Sequence, residues 1–147
     1  MKALTFLVAC LCTSLSSAKL LSLGKHPREA EAIEQATAWL DLLEQNDAER
    51  SYEFFSDINR LQSESAWAES LAEERESHGS LLSREFIRAV VYQDPKDAPL
   101  PGLYIAVEFD SVYENARRHF QYLVLHSQSG EPFKLMRREV TQLSQSP

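Results

Sequence analysis

The sequence predicts an α+β fold: N-terminal helices packed on a four-stranded antiparallel meander sheet. Three observations predict it. Apolar residues recur at helical spacing from Ile33 to Leu71. From Leu81 onward the pattern changes to alternation rich in β-branched and aromatic residues. Helices and strands occupy separate stretches of chain, and this segregation marks α+β rather than α/β.

Each element has its own local cause. Pro27 stands where a first-turn proline would, followed by Glu29 and Glu31, and Ile33, Ala36, Thr37, Leu40 and Leu43 form a helical stripe, so the first helix is read over Pro27–Gln45. Asn46-Asp47 breaks it, and Asp47 caps a short second helix over Ala48–Phe55. Ser63 or Ser65 caps a third helix to about Ser77, with Trp67 and Leu71 buried and Gly79 ending it. Leu81–Gln93 reads as the first strand, and the Pro-rich stretch Asp94–Gly102 as a loop. Leu103, Ile105, Val107 and Phe109 alternate with Tyr104, Ala106, Glu108 and Asp110, a half-buried second strand. Glu114-Asn115 marks a turn, Phe120–His126 the third strand, Ser127–Pro132 a hairpin connection, and Phe133–Leu143 the last strand. The expected organisation is therefore a single domain over 27–143, preceded by a flexible lead at 19–26 and followed by a polar tail at 144–147.

The chain has 147 residues, 44% apolar and 25% charged, which is enough for one domain with its own core and too apolar for a disordered chain. A formal charge of −7 argues against nucleic-acid binding. Residues 1–18 read as a secretory signal peptide: Lys2, an apolar run from Ala3 to Leu11, then the small residues Ser16-Ser17-Ala18, with cleavage between Ala18 and Lys19. The run is too short for a membrane span, which needs about 20 residues. Leu7-Val8-Ala9-Cys10 also has the form of a bacterial lipobox, so a lipid anchor at Cys10 is the alternative. Cleavage after Ala18 removes one Lys, no acid and both cysteines, leaving 129 residues at a formal charge of −8. A periplasmic or secreted protein without disulfides or thiols is expected.

Several residues carry a resemblance. Trp39-Leu40-Asp41-Leu42, the segment Asp47 to Tyr52, the spaced Trp67, Leu71, Arg75, Gly79 and Ser83-Arg84, and Leu100 to Val107 together resemble the bacterial domain-of-unknown-function family 4019. The resemblance runs from about Ala32 to Val140. It implies an exported α+β domain of the cone-shaped kind seen in nuclear-transport-factor-like folds, and it implies no activity.

No metalloprotease, nucleophile-elbow, phosphate-loop or EF-hand signature is present, which argues against an enzyme, and no cofactor is expected. His26, His78, His119 and His126 do not form a helical pair, and parity puts His119 and His126 on opposite strand faces, so no metal site is expected. Arg75, Arg84 and Arg88 form one candidate group, with Arg84 and Arg88 on a shared face of the first strand, able to orient an acidic ligand bidentately. Glu108, Asp110 and His119 form a candidate acid–base set, as in isomerases of cone-shaped folds, although alternation puts Glu108 and Asp110 on a wet face. Tyr92, Tyr104, Tyr113 and Tyr122 are candidates for an exposed aromatic sheet face, and Lys134, Arg137 and Arg138 for a solvated edge strand. These features support three readings: a non-enzymatic domain that binds a protein partner or a second copy through its sheet, a small-molecule or isomerase-like pocket, and a lipid-anchored envelope protein.

Overall fold

Helix α1 spans Glu29–Glu44 and buries Ala36, Leu40 and Leu43 of the expected stripe together with Ala32 and Trp39, while Ile33 and Thr37 are half-buried. The structure is a computed structural model that describes residues 26–115 and 118–143. The expected signal segment, Cys10, the Ala18–Lys19 junction and the polar tail lie outside those residues.

Helix α2 spans Ala48–Glu53, and the Asp47 side chain accepts from the Arg50 backbone N–H. It stops short of the expected Phe55 for a tertiary reason. The backbone there turns to pair with the sheet: Leu135 donates to the Phe54 carbonyl and Ser56 donates to the Leu135 carbonyl, each at 2.9 Å. A 3₁₀ turn at Asp57–Asn59 follows, and helix α3 spans Glu64–His78, capped by the Ser63 hydroxyl. Gly79 leaves the helix at φ +74°, and a Cβ there would meet the Asn115 side chain at 2.9 Å. This turn therefore demands glycine.

The four strands are β1 (Leu81–Gln93), β2 (Leu103–Tyr113), β3 (Arg118–Ser127) and β4 (Lys134–Gln142). They form one antiparallel meander in the order β1-β2-β3-β4, with β1 and β4 at the edges. Among the described residues, no helix is long and apolar enough to cross a membrane.

Leu103, Ile105, Val107 and Phe109 of β2, Leu123 and Leu125 of β3, and Leu135 of β4 meet the helices in one core. The helices are tied together inside it. The Trp39 indole donates to the Ser51 carbonyl and the Trp67 indole to the Ser51 hydroxyl, both at 2.9 Å, while the two indoles stack at 6.2 Å. Ser51 is fully buried, so one small polar residue satisfies two buried indole donors from two other helices.

Besides an irregularity between Leu81 and Ser83 at the start of β1, two bulges inside the sheet set which side chains share a face. The β1–β2 register shifts between Phe86 and Arg88, and the β3–β4 register shifts between Val124 and Leu125, opposite Met136. Each inserts one residue and reverses the face of every later side chain on its strand.

Candidate functional site

The sheet has two faces with different chemistry. On the helix-covered face, polar side chains gather at the end where α1 and α3 terminate. The Glu44 carboxylate accepts from the Arg84 guanidinium and from the Tyr113 hydroxyl, both at 2.9 Å, and the backbone carbonyl of Glu44 accepts from Arg75. Arg84 also reaches Asp41 at 2.9 Å, and its side chain is only 8% exposed. Gln121 donates to both Ser111 and Tyr113 at 3.1 Å.

Beside this hub, Arg138 grips Glu74 through two hydrogen bonds and lies 5.8 Å from the Trp39 ring. Burial pushes the Glu74 carboxyl up, but the hydrogen bonds and charge of Arg138 outweigh it and hold the group below the usual carboxylate range. His119 is fully buried, edge-on to His78 at 4.2 Å and tilted against Tyr113 at 5.3 Å. Burial, reinforced by His78, pushes the His119 imidazole below its ordinary value. The cleft between Leu71, Glu74, His78, Tyr113 and Arg138 measures about 20 Å³, room for roughly one water.

The opposite face carries no helix. Arg88 grips Glu108 at 2.6 and 2.8 Å, Arg118 pairs with Asp110, and Arg137 pairs with Glu139. Around these pairs lie the half-buried Val90, Phe120, Tyr122 and Val124. At one end the loop after β1 folds over this face. The Tyr104 hydroxyl donates to the Leu100 carbonyl at 2.9 Å, and a His126 ring nitrogen lies 2.9 Å from the Pro101 carbonyl. Gly102, at φ +132°, permits the tuck, since a Cβ there would sit 2.6 Å from the Ser127 carbonyl.

The structure divides the residues that the sequence pattern groups. Arg75 and Arg84 do converge, on Glu44. Arg88 does not join them, because the bulge at Ile87 sends it to the helix-free face. Glu108 and Asp110 lie on that face and His119 on the other, so the three make no acid–base set. Glu108 is buried rather than wet, because it sits on a central strand beneath Arg88. Of the four tyrosines, Tyr92 and Tyr122 border the open face, Tyr104 is covered by the loop, and Tyr113 belongs to the helix side. Arg138 is not part of a solvated edge but is paired beneath α3.

Sequence pattern alone does not mark Asp41, Glu44 and Glu74 as site residues. Glu74 and His78 stand four residues apart on one helix face, a spacing that the sequence does offer. Among the described residues no cluster of three or more His, Cys, Asp or Glu is placed to hold a metal ion.

The profile of the family described as "Protein of unknown function (DUF4019)" matches residues 35–137, and the chain belongs to that family. No curated protein matches the chain.

Proposed function

We propose that this family member is an exported, non-catalytic domain that associates with a second copy of itself through the helix-free face of its sheet. The observation that carries the reading is the charge balance of that face. The whole chain is at −7, yet here Arg88, Arg118 and Arg137 pair with Glu108, Asp110 and Glu139, and Glu85, in register with Asp110, adds one further acid beside Arg118. Two such nearly balanced faces meet with little net repulsion, whereas the acidic remainder of the surface repels a second copy.

Val90, Phe120, Tyr122 and Val124 supply the apolar centre. Four strands at about 4.8 Å spacing and ten residues at about 3.3 Å make a plane of roughly 600 Å² before side-chain relief is counted. A standard interface buries about 800 Å² per partner, so a modest, reversible dimer is the expected outcome. The signal-like residues 1–18 support export, and the split of Glu108 and Asp110 from His119 supports a role without catalysis.

Light scattering coupled to gel filtration tests this. The protein should run at twice the chain mass, falling toward monomer on dilution. Tyr122→Glu should give monomer with an unchanged circular-dichroism spectrum. A strict monomer at about 100 μM, well above the Kd expected even of a weak specific contact, would overturn the reading.

A further inference from the structure

A second surface, sharing Arg137 and Glu139 with the sheet face, lies at the outer edge of β4. The segment Phe54–Ser56 pairs with this edge in parallel at Leu135, and the Asn59 side chain donates to the Met136 carbonyl. There the covering chain departs. Among the described residues, no backbone hydrogen bond reaches the outer edge of β4 beyond Met136. An edge strand with free N–H and C=O groups is a template for another strand.

Where the pairing stops, a groove of about 720 Å³ opens. Phe55, Trp67 and Met136 form its apolar lining, and Leu61, 90% exposed, stands at its rim. Every charged residue lining it is an arginine: Arg60, Arg137 and Arg138. Arg138 is committed to Glu74. The carboxylates on Arg60 and Arg137 are in contact with water, Asp57 at 91% and Glu139 at 48% exposed, while Arg60 also donates to the Glu53 carbonyl at 3.3 Å and lies over the Tyr52 ring. Such pairs are worth little and exchange readily for a better anion. A cationic, aromatic groove beside an open strand edge, on a chain of charge −7, is complementary to one kind of partner.

We propose that β4 accepts an extended acidic peptide as a fifth strand along Arg137–Gln142. One large apolar side chain of the peptide sits against Trp67 and Met136, and its carboxylates replace Asp57 and Glu139 on Arg60 and Arg137. Main-chain pairing supplies affinity, while the groove and the two guanidiniums supply selectivity.

The test is panning of a random heptapeptide phage library on the full chain, followed by titration of the winning synthetic peptide. Enrichment should favour an acidic residue beside a large apolar one. In the Tyr122→Glu background, where dimerisation is already lost, R60E/R137E should weaken binding about tenfold or more. Alternate N-methylation of the peptide backbone should abolish binding, and amide exchange should slow across Arg137–Gln142. Failure to enrich, enrichment without acidic bias, unchanged affinity for R60E/R137E, or tolerance of N-methylation would each overturn the proposal. Saturable displacement of the peptide by oleate at equal or lower concentration would assign the groove to a lipid anion instead. Tyr122→Glu leaves this groove intact, so loss of dimerisation and loss of peptide binding are separable.

Discussion

On the helix-covered face, Arg84 and Arg138 lie with 8% and 13% of their side chains exposed; on the open face, Arg88 and Arg118 have 65% and 62% exposed. All four grip carboxylates. The chemistry is the same and the surroundings differ. Beneath the helices, a guanidinium that loses its partner is stranded in a low dielectric, so each pair locks helix to sheet. On the open face water re-solvates a released guanidinium, and where the carboxylate is exposed too, as in Arg137–Glu139, the pair is free to trade partners. One sheet thus carries a fixed polar hub on one side and exchangeable charge on the other.

Three further experiments put this contrast at risk. The largest effect should come from the packing that holds the covered face closed. Trp39→Ala removes a buried indole that touches Trp67 and Phe55 and donates to Ser51. It should cost about 3–5 kcal/mol, read as a lowered urea midpoint. Next is a matched pair of arginine removals. Arg138→Ala leaves the α3 residue Glu74 unpaired against the sheet and should cost about 2–3 kcal/mol. Arg137→Ala on the open face, whose partner Glu139 is itself half exposed, should cost less than about 1 kcal/mol. Equal losses would show that the two faces do not differ as described.

The smallest effect is the pH dependence of the covered face. The His119 imidazole titrates lower folded than unfolded, so between those two values the unfolded chain binds more protons. Stability from this group is complete above the unfolded value, about 6.5, and drains away as pH falls toward the folded one. Thermal melts from pH 7.5 to 5 should show this slope, and His119→Gln should flatten it. An unchanged slope would place the titration elsewhere.

Much of the fold was legible because local signals agreed with the tertiary answer. Asp47 and Ser63 cap where short polar side chains before helical stripes should, Gly79 sits at a positive φ that favours glycine, and β1 has the bounds its composition marks. The end of α2 was not legible, because Phe54 and Ser56 trade helical bonds for bonds to Leu135, far along the chain. The candidate site was less legible still. Counting by twos from Arg84 puts Arg88 on the same face, and only the bulge at Ile87 reverses it. Glu44 gave no signal of its own, since a glutamate in the last turn of a helix reads as solvated. It becomes a hub only where α1 ends over Arg84 and Tyr113.

Periodicity and capping are local, so the amino-acid order was enough to place the helices before the sheet and to mark which strand residues alternate. Contacts between distant segments settled the rest: which arginines are buried, that His119 is separated from Glu108 and Asp110, and that the edge of β4 stays open beyond Met136. The physical reason is that burial and facing depend on register, and register turns on single bulged residues whose position is set by contacts between strands far apart in the chain.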